Sequence, residues 1–267
     1  MKKILFCMTV LMTTGLNTVK AENEAPAAEA VNNKVTLMQQ QPKPGRIVRN
    51  VPNTQGFTRY TLSNGVTVLF HQDSQSTNEV TMYALSSGGT SLYPDIQPAN
   101  LKALNECLAV SGLGNYSEQE LQKTLAGHKV SVTPYIGMYG EFISSSTTLN
   151  ELETMFQLNH MYFTSLRTDL DAFNNWRENM SKEVASSKDN PTTTLTKADL
   201  KTINYDLVMQ VVAQRFGNAG DFTFVITGNI SEDVLIPLLE KYIASLPTNG
   251  KHEHANYKAY ETTSRIS

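Results

Sequence analysis

Thiols, charge excess and long apolar runs are all scarce in this sequence. Only Cys7 and Cys107 carry sulfhydryls in 267 residues. The 22 Lys and Arg nearly balance the 25 Asp and Glu, leaving a formal net charge of -3. That balance gives no electrostatic basis for binding nucleic acid or an anionic membrane surface, both of which favour clustered cations. The five histidines are scattered at His71, His128, His160, His252 and His254, each placed as a structural or surface residue. The H-x-H of His252 and His254 stands in a polar stretch without further ligands. Serines are common, Ser144 to Ser146 among them, but no G-x-S-x-G nucleophile elbow accompanies them, so serine hydrolase chemistry has no support.

One apolar run is present, and it is short. Met1-Lys2-Lys3 precedes the apolar stretch Ile4 to Leu16, and Val19-Lys20-Ala21 follows. This is the pattern of a secretory signal cleaved near Ala21, because a membrane anchor needs about 20 uninterrupted apolar residues. Cleavage would remove Cys7 and leave Cys107 as the only thiol, excluding an internal disulfide even in an oxidising compartment. The expected location is periplasmic or secreted, with no membrane association once the signal is gone.

At 40% hydrophobic residues the chain can build one ordinary globular domain. Residues 1–21 are assigned to the signal, 22–56 to a flexible leader, 57–248 to the domain and 249–267 to a polar tail. The leader is rich in Ala, Glu, Gln and Pro and buries too little to offset the entropy of ordering. Asn64-Gly65 between two strand-like runs predicts a hairpin, since both residues tolerate positive φ. Glu79 to Ser86 predicts a strand, Ala99 to Val110 a core-packed helix, and Ser117 to Ala126 a helix opened by a Ser117/Glu120 capping box. Strands over Lys129 to Tyr135 and Tyr139 to Ser146 follow. Helices are predicted from Thr148 or Asn150, over Asp169 to Ser186 and over Ala198 to Arg215. A buried strand over Asp221 to Gly228 and a helix over Ser231 to Ser245, capped by Ser231, complete the series. This order does not alternate as a doubly wound parallel sheet would. It predicts an α+β two-layer sandwich, a mostly antiparallel sheet covered by helices on one face.

Several phrases in this order resemble one domain of the insulinase/pitrilysin (inverzincin) zinc metallopeptidases, in particular a non-catalytic second-half domain of bacterial secreted members. They are Thr61 to Val68, Ser87 to Leu92, Ser111 to Gly114, Leu152 to Leu158 and Asp221 to Asn229, spanning about Phe57 to Pro247. A catalytic domain of the family carries H-x-x-E-H on the helix after the Gly-rich turn, two imidazoles holding zinc while the glutamate takes a proton from bound water. The corresponding positions here are Ala103, Glu106 and Cys107, so only the glutamate remains. The family's third ligand is a downstream glutamate, near whose position Glu183 falls. Cys107 is therefore read as a small buried apolar residue, and Glu106 and Glu183 as structural or solvated carboxylates.

The resemblance implies no catalytic, cofactor or metal site in this chain, with zinc expected only in a catalytic partner. It implies a metallopeptidase subunit as partner, with unstructured peptides as further ligands bound by strand addition. The competing expectations are a stand-alone periplasmic peptide-binding or scaffold protein and a decayed fragment of a longer peptidase. Ser187 to Lys197 is shorter than the family's corresponding segment, which predicts apolar surface there that a partner would cover.

Overall fold

The hairpin predicted from Asn64-Gly65 forms part of one side of the sheet. Its strands are β2 (Thr58–Leu62) and β3 (Thr67–Gln72), antiparallel in register Thr58 to Phe70 and Thr61 to Thr67. Gly65 has φ +86°, and the Asn64 amide donates to the carbonyls of Ile243 and Leu246 at 2.9 and 3.1 Å. Gly65 thus supplies the bend and Asn64 a tether to the helical layer.

The computed structural model describes residues 35–52, 56–186 and 194–258, all within one compact unit. The expected signal and the first part of the leader lie outside the described residues, as do residues 187–193 of the short segment and 259–267 of the tail.

The remaining strands are β1 (Ile47–Pro52), β4 (Glu79–Ser87), β5 (Val130–Ile136), β6 (Gly140–Thr148) and β7 (Thr223–Gly228). Seven strands form one sheet in the order β1-β2-β3-β7-β4-β6-β5. Every pairing is antiparallel except β3 with β7. The burial of β4, β6 and β7 alternates residue by residue, as a sheet covered on one face requires. Val80, Met82, Ala84, Ile143, Phe224 and Ile226 point into the core, whereas Tyr83, Leu85 and Tyr135 stand exposed. The α+β sandwich expected from element order is the observed fold.

The helices are α1 (Pro98–Lys102), α2 (Leu104–Ser111), α3 (Glu118–Thr124), α4 (Leu152–Thr164), α5 (Leu170–Ser186), α6 (Lys197–Thr202), α7 (Tyr205–Phe216) and α8 (Glu232–Leu238). The Ser117/Glu120 capping box is formed, and a second one joins Thr196 to Asp199. Two expected helices are each split. Ala103 breaks the first at φ -94°, ψ 0°, and Ile203-Asn204 breaks the other, with Asn204 capping α7 through the Leu207 N–H at 3.1 Å. Ser231 precedes α8, but its side chain makes no capping bond. Pro237 lies inside α8, and the chain continues as a π turn over Leu239–Ile243.

The leader assignment needs correction from Val35 onward. Leu37 is 3% exposed, and the Gln157 side-chain amide accepts from Leu37 N–H at 2.8 Å and donates to the Val35 carbonyl at 3.2 Å. Further on, Gly45 N–H bonds the Glu240 carbonyl at 2.8 Å, and Ile47–Pro52 adds an edge strand to the sheet. The tail is likewise tied down as far as Asn256 by bonds to Asp221, Ser87 and Ser91. Near the short segment, Leu195 and Leu200 are buried.

Candidate functional site

Helix α2 carries the positions where zinc ligands were sought. Ala103 sits at its N-cap, fully buried with a methyl group and no donor atom. Cys107 lies one turn on and is also fully buried. Burial, reinforced by the nearby Glu106 charge, pushes its thiol up to about 12, so the thiolate that would bind a metal is disfavoured. The Glu106 carboxyl is raised by burial, and its Oε2 is buried without a hydrogen-bond partner. Burial works against the charged carboxylate form that a metal ion would need. Below it, the Ser111 hydroxyl donates to the Cys107 carbonyl at 2.6 Å and meets Tyr205 Oη at 2.7 Å. The surroundings are those of a packed core.

Glu183 lies near the end of α5 on its exposed side. The stripe that α5 turns inward is Phe173, Trp176, Met180 and Val184, and Glu183 falls off it. Among the described residues no three His, Cys, Asp or Glu side chains are grouped to hold a metal ion. The residues at the motif positions do not fit zinc.

The histidines stand apart. His71 Nδ1 donates to the Gly56 carbonyl at 2.9 Å, and His128 Nδ1 pairs with Glu151 at 2.6 Å. His160 is buried, its pKa lowered to about 4 by desolvation, with Nδ1 3.1 Å from Thr164 Oγ1. His252 Nδ1 is 3.5 Å from Asp221, and His254 is exposed. Of the serine run, Ser145 turns inward, where it accepts a 2.9 Å bond from the Asn159 amide.

Motif reading overlooked what stands beside α2, the free edge of β5. Ile136 N–H donates to the Asn105 side-chain oxygen at 2.8 Å, and the Asn105 amide donates back to the Ile136 carbonyl at 3.0 Å. Because a strand's backbone groups alternate in direction, Val130, Val132 and Pro134 turn their polar groups to the same free side. Proline there costs the ladder nothing, which is where sheets admit it. Alongside runs a cavity of ≈ 270 Å³ lined by Leu108, Leu113, Leu121, Leu125, Pro134 and Tyr162 among others. The arrangement offers a short backbone edge and an apolar hole. Pro134 in a strand-like run was the available sequence signal.

No family model matches the chain. The probable zinc protease PqqL of Escherichia coli (strain K12) is 24% identical over 209 residues, covering 72% of this chain and 22% of PqqL. The crystal structure of the periplasmic protease PqqL superposes with TM-score 0.70 at 20% identity, over 84% of this chain and 27% of that one. Sequence and fold are thus similar to those of PqqL. Its fold also matches the first half of PqqL, with TM-score 0.59 at 12% identity over 78% of this chain and 50% of that one. A mutant of the ferredoxin protease FusC, in complex with Arabidopsis ferredoxin, gives TM-score 0.67 at 15% identity over 91% of this chain and 28% of that one. This chain spans about a fifth of the curated relative it matches. No helix among its described residues is long and apolar enough to cross a membrane.

Proposed function

We propose that this chain is a catalytically inactive peptidase-like domain of the second-half type, the non-catalytic partner of a zinc metallopeptidase that degrades peptides in the periplasm. The observation that carries the reading is the filling of the motif positions on α2. Ala103 and Cys107 are fully buried, and burial disfavours both the Cys107 thiolate and the Glu106 carboxylate. Zinc then belongs to the partner.

A second reading, a stand-alone peptide-binding or scaffold protein, is favoured by the β5 edge and its apolar cavity. Mixing the full chain with a secreted homologue that carries H-x-x-E-H separates the two. The subunit reading expects a complex on size exclusion and more chelator-sensitive peptide cleavage than the homologue gives alone. Peptide binding by the lone chain without any complex supports the second reading. Neither complex nor peptide binding contradicts both.

A further inference from the structure

The segment from Asn249 to Lys258 has no regular secondary structure beyond a final turn, yet it is held in the manner of a bound peptide. Its backbone is read at five points, the first where Asn249 N–H donates to the Asn218 side-chain oxygen at 3.1 Å. Asn218 donates to the Lys251 carbonyl at 2.9 Å, and Glu253 N–H donates to Asp221 at 3.1 Å. Ala255 N–H donates to the Ser87 hydroxyl at 3.0 Å and Asn256 N–H to the Ser91 hydroxyl at 2.9 Å. Side chains at three alternate positions also engage the surface, and His252 Nδ1 lies 3.5 Å from Asp221. Glu253 pairs with Arg215, Ala255 is buried, and the Tyr257 ring meets Tyr139 at 5.1 Å.

The receiving surface is built around a buried cation. The Arg215 side chain is 4% exposed, its Nε donates to Tyr93 Oη at 2.9 Å, and its guanidinium lies over the Tyr93 ring. Burial opposes its charge, but Glu253, Tyr93 and Glu141 more than offset this and raise its pKa. A Cβ on Gly88 would come within 2.6 Å of Arg215 Nη1, so a glycine is needed for the approach.

Two carboxylates face this one guanidinium, and they differ. Glu141 is buried 3.6 Å away and accepts from Gly89 N–H at 2.8 Å, a permanent partner within the sheet. Glu253 is 45% exposed and arrives on the segment. If the segment leaves, Arg215 keeps a counter-ion, so the site survives without an uncompensated buried charge. The hold on the segment is shallow, since Ala255 is the one buried apolar side chain it contributes. Beside Glu253 a cavity of ≈ 350 Å³ opens between Tyr93, Gln214, Arg215 and Asn218, leaving room for a larger occupant.

We propose that Ser87, Ser91, Tyr93, Tyr139, Arg215 and Asn218 form a binding site for an extended peptide segment. The ligand carries a carboxylate, a small apolar residue two positions on and an aromatic ring two further. Residues 251–257 occupy this site in cis and block it until displaced. The site lies apart from α2 and does not depend on the function proposed above.

The test uses the full chain and a labelled synthetic peptide with the sequence of Lys251 to Lys258. Glu253→Gln is expected to speed amide hydrogen exchange at Glu253, Ala255 and Asn256, and to tighten binding of the added peptide about tenfold over wild type. The same peptide with Gln in place of its Glu is expected to bind about tenfold more weakly. In the unaltered chain, excess peptide is expected to deprotect the same amides, a readout that needs no variant. Equal binding of the Glu and Gln peptides overturns the proposal, as does failure of excess peptide to deprotect the segment.

Discussion

Cys107 and Ala103 differ from the metal-binding residues sought at their positions in more than identity, because each is packed on all sides. Restoring two imidazoles would overfill that space. Ala103→His with Cys107→His is expected to cost about 2–3 kcal/mol, read from urea denaturation, without conferring zinc binding. His160 gives a pH test. Its folded pKa of about 4 lies below the ordinary value of 6.5, so between those values the unfolded chain binds more protons. Stability is therefore complete above pH 6.5 and falls as pH drops toward 4, by roughly 3 kcal/mol at 1.36 kcal/mol per unit. His160→Gln is expected to flatten that limb of the stability profile. The missing ligands were legible from residue names alone. The burial that raises the Glu106 pKa was not, since it depends on what packs against α2 from elsewhere in the chain.

Turns and caps carry their own chemistry, and these elements were the readable ones. Asn64-Gly65 and the Ser117/Glu120 box stand where the sequence placed them. The breaks at Ala103 and Ile203-Asn204 were invisible because apolar spacing continues across both. The docked leader and tail were missed for another reason. Their partners are single polar side chains far along the chain, Gln157 for Leu37 and Arg215 for Glu253, and composition records no such pairing. Gly89 illustrates a constraint of this scale. It has φ +60°, and a Cβ would meet the backbone of Gly137, Met138 and Gly140 at 2.4–2.6 Å. Gly89→Ala is expected to cost about 2–3 kcal/mol in thermal or urea unfolding. Asn105→Ala strips the Ile136 backbone of both its partners and is expected to cost about 1 kcal/mol, with faster exchange at the Ile136 amide.

Across the whole molecule, element order conveyed the layer architecture but not the strand order. The parallel pairing of Thr67–Gln72 with Thr223–Gly228 joins segments from opposite ends of the domain, a contact that no local pattern encodes. That strand lies at the centre of the sheet, between β3 and β4, and the core residues of α2, α4 and α7 close over the same face. The chain thus shares its fold with PqqL, and Ala103 and Cys107 are packed within its core. The most direct test is to incubate the purified full chain with zinc and an unstructured peptide and to follow the products by mass spectrometry with and without chelator. No chelator-sensitive cleavage is expected; cleavage that zinc supports and the chelator abolishes would contradict the account.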